Sequence, residues 1–447
     1  MASIAAALHR IKDDPPAFLC KRSIDAAARA AGHRWRERVL GPAATVTAWV
    51  LQIAHGNTAI GHVVRLFHGR FSQSAYCQAR DRLPVELART LLMQSARWAV
   101  DHAPGVWKGH RTFLADGTGP SMPDTAPLRE HFGYPAGVRE GCGFPVAHVL
   151  TLFDAAAGVL VDMVVGPWQQ KDMPGILSLH HHLRPGDVLI GDRAFCAFGH
   201  VTTLLERGLH GVFRLHASRP VPVGKRHARR RTRARGPAHR WTPASTSTVE
   251  VISDAPQRWA KPSNRPLWMT PQQWAAQPTT LTVRAVTYRV SGRGVRTRTV
   301  AVATTLMDAA AYPPAEIAAL YHSRWEVETN LRHLKSTLGM DRLTCGSADG
   351  VLKELLMFAV VYNLVRAVMA GASVRQGAEP GRVSFADALR WLLTARRGEQ
   401  LPDLRVNPLR RGRLEPRVCK RRPKNFPYMI RPRDDYRRWL AENANLN

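Results

Sequence analysis

Cysteine is scarce and dispersed. Its six positions, Cys20, Cys77, Cys142, Cys196, Cys345 and Cys419, come no closer than the 54 residues between Cys142 and Cys196. No paired metal-ligand spacing exists, which argues against a zinc ribbon or a disulfide framework. Acid is scarce too: 34 Asp and Glu stand against 64 Lys and Arg, a net charge of +30 with a sequence pI near 11.1. Such a surplus points to a polyanionic partner. Aromatics make up 7% of the chain, but the 45% hydrophobic content is too high for a disordered basic tail. An uninterrupted membrane-length apolar run is also missing, because Val351 to Ala372 carries Lys353, Glu354 and Arg366 and so reads as a buried helix. Met1 to Leu8, followed by Arg10, Lys12, Asp13 and Asp14, reads as neither signal peptide nor anchor. The expected setting is a reducing cytoplasm.

What is present is length and localised charge. At 447 residues the chain has room for two to four domains. Arg219 to Arg240 holds nine basic residues and no acid, and Arg405 to Arg438 holds thirteen against Glu415, Asp434 and Asp435. Such runs are solvated loops in many proteins, yet each phosphate they neutralise releases counterions, so they also bind nucleic acid without reading its sequence.

From Lys21 to about Gly105 the apolar spacing is helical, predicting an all-helical N-terminal domain. Within it, two short helices flank His68-Gly69-Arg70-Phe71, the second offering Ser74, Gln78, Arg80 and Arg82. That composition suits a DNA groove and suits an ordinary helical hairpin equally well. At Thr112 the texture changes to short apolar runs, at Thr112 to Ala115, Val146 to Phe153, Val159 to Val165, Val188 to Ile190 and Gly211 to Leu215. These predict strands, with helices at Gly175 to His182 and Gly199 to Gly208. Alternation at Thr280 to Tyr288 and Arg296 to Thr304 predicts an inserted β-rich module. The fold class is therefore α/β.

Pro313-Pro314 and Gly339 bound a predicted helix of about 25 residues. At about 100° per residue, Tyr321, Arg324, Glu328 and Lys335 share one narrow stripe, while Glu326 points roughly 160° away from Glu328. Leu320, Val327, Leu331, Leu334 and Leu338 lie beside the stripe and must dock on a core. A salt-bridge ladder would use the same residue types.

The uninterrupted spacing Tyr321-x2-Arg324-x3-Glu328-x6-Lys335 resembles the YREK signature of bacterial DDE transposases of the insertion-sequence-four family. The resemblance extends to Leu114-Ala-Asp116-Gly-Thr118, Met122-Pro-Asp-Thr125, Gly141-Cys-Gly-Phe-Pro145, Gly191-Asp192-Arg-Ala-Phe195 and Arg422-Pro-Lys-Asn-Phe-Pro427. It implies a ribonuclease-H-like catalytic core with a β-rich insertion, a helical N-terminal domain and a basic C-terminal region. Asp116, Asp192 and Glu328 would be the catalytic and metal-binding carboxylates, with two Mg²⁺ or Mn²⁺ ions. Tyr321, Arg324 and Lys335 would contact the phosphates of the element's end. Partners would be double-stranded DNA, both terminal inverted repeats and target, and a second copy in a homodimeric synaptic complex, with no membrane. The expected boundaries are 1–105, 106–215, 216–304, 305–372 and 373–447, the last region serving in dimerisation.

Two features stand outside the triad. Asp192 and Glu328 are 136 positions apart, and in the family this space holds an insertion whose Trp takes a flipped base. Trp241, Trp259, Trp268 and Trp274 are candidates, although for each one taken singly a place in the packed core is the better reading. His180-His181-His182 cannot all face one ion on a helix, and the run reads as polar side chains turned to solvent. The expected function is cut-and-paste transposition by strand cleavage and strand transfer. The rival readings are an inactive or domesticated end-binding protein and a ribonuclease-H-like nuclease.

Overall fold

A computed structural model describes residues 17–102, 105–137, 141–216, 248–292, 295–395, 399–408, 429 and 431–443. The run from Arg219 to Arg240, most of the C-terminal basic run and Trp241 lie outside the described residues.

Five helices open the described chain: α1 (Lys21–Ala30), α2 (Pro42–Ala54), α3 (Ile60–Leu66), α4 (Gln73–Arg82) and α5 (Val85–His102). Their starts follow local chemistry. Ser72 caps α4 by accepting from the Ala75 amide, and Pro42 occupies the first turn of α2, positions where an unsatisfied amide needs an acceptor or is absent. Ser74, Gln78 and Arg82 are exposed on α4 as anticipated, but Arg80 is buried. Its guanidinium lies 4.1 Å from the Trp49 ring centroid and donates to Gln52 Oε1. A sequence pattern that places Arg80 on an outer face cannot register this long-range stacking.

Eight strands follow: β1 (Thr112–Thr118), β2 (Ala147–Asp154), β3 (Leu160–Pro167), β4 (Val188–Gly191), β5 (His210–Arg214), β6 (Thr248–Ala260), β7 (Thr280–Gly292) and β8 (Val295–Thr304). They form one sheet in the order β3-β2-β1-β4-β5-β8-β7-β6. β1, β2 and β3 are antiparallel, and β4 and β5 run parallel to β1. This antiparallel meander continued by parallel strands is the ribonuclease-H-like arrangement. The later strands join the same sheet through antiparallel pairing of β8 with β5.

Both faces of the sheet are covered, which is why the central strands read as unbroken apolar runs. Alternate residues of β1 serve different cores: Phe113 and Ala115 on one face, Leu114 on the other. The first face carries α7 (Asp172–Leu179), α8 (Phe198–Glu206) and α9 (Pro271–Ala276), with Trp259 and Trp274 buried among them. Trp268 packs against this same core. On the second face lie α5, the helical segment from Pro314 onward and a 29-residue helix from Ala348 to Gln376. By length and composition that last helix could cross a membrane, yet 94% of its most apolar window is buried inside the molecule. Its polar groups are paired: Glu354 accepts from the Thr344 and Cys345 amides, and Asn363 bonds both polar atoms of the Leu160 backbone.

The predicted helix from Pro313 to Gly339 is present in three joined parts. With α6 at Ala126–Phe132, these are α10 (Pro314–Ser323), α11 (Trp325–Arg332) and a π-helical turn at His333–Thr337. At the first joint the Arg324 amide bonds to the Tyr321 carbonyl and the Val327 amide to the Arg324 carbonyl, tighter i to i+3 bonds that interrupt the regular ladder. Gly339 ends the segment at φ +90°, where a Cβ would stand 3.2 Å from the Gly56 carbonyl oxygen. Glycine is thus required there on both backbone and packing grounds.

Candidate active site

The sheet register sets two aspartates side by side. β1 and β4 are parallel neighbours with Leu114 opposite Ile190, so Asp116 and Asp192, each two residues further on, leave adjacent strands at the same end. Neighbouring strands lie about 4.8 Å apart. Asp116 remains on β1, where its carbonyl accepts from the Thr151 hydroxyl and its Oδ1 from the Gly117 amide. Gly117 has little room, since a Cβ would lie 3.0 Å from Asp172 Oδ1. Asp192 stands just past β4 and caps a short three-ten turn, its Oδ1 accepting from the Ala194 amide at 2.6 Å.

Glu328 reaches the group from α11, which packs on β1. Arg324 lies between the carboxylates, with Nη1 3.7 Å from Asp116 Oδ2 and Nη2 3.4 Å from Glu328 Oε1. The guanidinium is largely buried and lies over the Trp325 ring, 5.2 Å from its centroid. Burial pushes the Asp116 carboxyl up to about 6; Arg324 and the Gly117 amide oppose that shift, and the charges of Asp192 and Glu328 add to it. Three acids within electrostatic reach of one another thus surround one cation.

Tyr321 is buried, and desolvation raises its phenol above the ordinary tyrosine range, countered by the nearby charges of Arg324 and Arg214 and by a hydrogen bond from Arg324. Lys335 lies seven residues beyond Glu328, half-buried in the π-helical turn. The structure therefore brings Asp116, Asp192, Glu328, Arg324 and Tyr321 into one group, and leaves Lys335 further along the same segment. Glu326 lies on another side of the segment with part of its surface exposed, where desolvation raises its carboxyl and the charge of Arg366 opposes that shift.

Arg214 had no place in the sequence reading. It ends β5 one residue past Phe213, which pairs with Gly191, so it borders Asp192 in the parallel register, and its charge reaches both Tyr321 and the fully buried Tyr288. The available signal was a lone Arg closing an apolar run next to the strand that ends in Gly191-Asp192. His180 also differs from expectation: it is fully buried, stacked on His200 with the rings 5.2 Å apart.

The donors converging at the strand ends are carboxylate oxygens, which suit hard divalent cations such as Mg²⁺ or Mn²⁺. The burial of Asp116 and the mutual repulsion of the three acids fit a group that gains from added positive charge.

A ribonuclease-H-like sheet with acids at the ends of its first and fourth strands and on a following helix is the arrangement of polynucleotidyl transferases and endonucleases, DDE transposases among them. The chain belongs to the transposase DDE domain family, whose model matches residues 107–364. It is similar to the transposase InsG for insertion sequence element IS4 of Escherichia coli (strain K12), with 24% identity over 380 residues, 79% of this chain and 78% of that protein. It is an insertion-sequence-four-family transposase. Among solved structures it is similar to the piggyBac transposase synaptic complex with hairpin DNA, at a TM-score of 0.46 and 11% identity, covering 88% of this chain and 80% of that one.

Proposed function

We propose that this transposase binds the terminal inverted repeats of its element and moves it by cut-and-paste transposition, with Asp116, Asp192 and Glu328 as the catalytic, metal-binding triad. The observation that carries this reading is the β1/β4 register, which sets Asp116 beside Asp192 while Glu328 faces Asp116 across Arg324.

The chemistry asked of the site is in-line displacement at phosphorus. Water attacks a phosphodiester at the element's end, the P–O3′ bond breaks and a 3′-hydroxyl is released. That hydroxyl then attacks a target phosphodiester, whose own P–O3′ bond breaks. Two Mg²⁺ or Mn²⁺ ions, when bound, supply the positive charge that stabilises the attacking and leaving oxygens. Asp116, Asp192 and Glu328 would hold them, while the strand ends and α11 fix the spacing of the carboxylates. Arg324 and Tyr321 border the acids and grip the phosphates of the strand being cut, with Lys335 further along. Arg214, at the end of β5, extends this cationic border on the other side of Asp192.

Recruitment of DNA falls to the helical N-terminal region, with Ser74, Gln78 and Arg82 exposed on α4, and to the two basic runs. We assign the organisation as 1–105 for DNA binding, 106–215 and 305–372 for the catalytic core, 216–304 for the insertion and 373–447 for dimerisation. Two ends must be held together for joining, so the working form is a homodimer in the synaptic complex.

The test is incubation of the purified protein with Mg²⁺ and a labelled inverted-repeat end. The expected products are a nicked or hairpinned end and strand transfer to target DNA; binding without cleavage would overturn the enzymatic reading.

A further inference from the structure

We propose that Asp162, His181 and His182 form a binding site for a transition-metal dication of the Zn²⁺ class, separate from the carboxylate group at the ends of β1 and β4. The three residues offer ligand atoms that all lie within 4.8 Å of one another. They sit at the margin of the sheet: Asp162 on β3, an outermost strand, and the two histidines on the three-ten turn His180–His182 that follows α7.

The arrangement is held from behind. Asp162 is buried although its strand is at the edge. One carboxylate oxygen, Oδ1, accepts from the Met163 amide at 2.7 Å and faces Arg89 of α5 at 3.6 Å. Its other oxygen, Oδ2, meets His182 Nε2 at 2.8 Å. His181 Nδ1 is 2.6 Å from the Ser178 carbonyl. A carbonyl can only accept, so Nδ1 carries the proton and Nε2 keeps its lone pair for a metal. Orientation of a ligating imidazole by a backbone carbonyl, and of a ligating carboxylate by an amide, is the support that metal sites use.

Three successive histidines on a regular helix diverge by about 100° each, which is why the run alone suggests no metal site. On the three-ten turn the backbone spreads them further, by about 120° each, and the side-chain conformations decide which rings meet. His180 goes inward to His200, while the His181 and His182 rings come together with centroids 3.9 Å apart. Two imidazoles and one carboxylate suit Zn²⁺, Co²⁺ or Ni²⁺ better than Mg²⁺. Bond lengths of about 2.0–2.2 Å in a tetrahedral site can be reached from this spacing by small side-chain rotations. His181 is exposed, which leaves the fourth position to water. An ion here would tie the edge strand β3 to the segment leading into β4.

The experiment is titration of the chelator-treated full chain with Co²⁺, followed by competition with Zn²⁺. One equivalent should produce the visible absorption of four-coordinate Co²⁺, and Zn²⁺ should abolish it. His182→Ala and Asp162→Asn should weaken Co²⁺ binding more than about tenfold. His181→Ala, a change at an exposed side chain, tests the same prediction without touching the core. Glu328→Gln, which alters the other site, should leave the signal in place. Six-coordinate Co²⁺ alone, a signal that survives His181→Ala and His182→Ala, or one that disappears in Glu328→Gln would each overturn the proposal.

Discussion

Arg324 separates Asp116 from Glu328, its guanidinium 3.7 Å from an oxygen of the first and 3.4 Å from an oxygen of the second. The joint between α10 and α11 falls at this residue. A cation bound by these oxygens competes with Arg324 for them. Arg324→Ala should therefore bind Mn²⁺ about three- to tenfold more tightly than the parent, while its metal-free form loses about 1 kcal/mol because two partly exposed acids are left without a charged partner. Thermal melts with and without Mn²⁺ measure both effects. Equal Mn²⁺ affinities would show that the guanidinium does not guard the site.

Glu328 and Glu326 provide an internal comparison, since two positions on one helical segment separate an acid beside Arg324 and Asp116 from one near Arg366, outside the group. Glu328→Ala should reduce end cleavage by about 1,000-fold or more, the scale on which loss of a group stabilising transition-state charge acts. Glu326→Ala should stay within about threefold of the parent. Comparable losses in the two variants would refute the assignment of Glu328.

The raised Asp116 carboxyl gives metal binding a pH dependence. Its folded-state value of about 6 lies above the ordinary 3.8, so the folded chain favours the protonated acid, and that contribution to stability is lost as pH rises through this window. Metal ligation needs the ionised form. Mn²⁺ affinity should fall as pH drops below about 6, becoming about tenfold weaker at pH 5 than at pH 7. Calorimetric titration at the two values decides the point: an unchanged affinity would mean that Asp116 is ionised throughout.

Lys335 lies on the π-helical turn, a deviation from regular helix that commonly accompanies functional positions. If it neutralises one phosphate of the element's end, Lys335→Ala should weaken end binding and reduce the salt slope of log affinity by about one. The measurement is binding to an inverted-repeat duplex over a series of salt concentrations. Weaker binding with an unchanged slope would indicate that Lys335 acts through the shape of the turn rather than through its charge.

The strands bearing Asp116 and Asp192 were legible because each is a short apolar run closed by an Asp beside Gly, and a continuous run marks a strand buried on both faces. Pro314 and Gly339 marked the ends of the helical segment for reasons local to the backbone. What the sequence concealed depends on contacts far along the chain. Arg80 disappears from the surface because Trp49, 31 positions earlier, presents a ring to it. Arg214 becomes a neighbour of Asp192 through parallel pairing of β4 with β5. The joint at Arg324 replaces regular bonds by i to i+3 bonds, a change to which apolar periodicity is blind.

The buried pair His180 and His200 should govern stability in mild acid. Burial pushes His180 down to about 3, with the charge of His200 adding to the shift, and His200 down to about 4. Both values lie below the ordinary 6.5, so the folded chain holds the neutral rings. Their contribution is complete above pH 6.5 and is lost as pH falls toward 4, where unfolding takes up as many as two protons. The slope from this pair is up to about 2.7 kcal/mol per pH unit. Asp116 acts in the opposite sense over part of the same window, because its protonation favours the folded state. Comparison of two proteins that share Asp116 cancels that term. His322, held down to about 4 by its own burial, adds to the slope in both proteins and also cancels. His200→Phe removes one proton and should lower the acid slope in denaturant unfolding between pH 6 and pH 4 by about 1.4 kcal/mol per pH unit, and parallel profiles for the variant and the parent would show that the buried rings do not control acid stability.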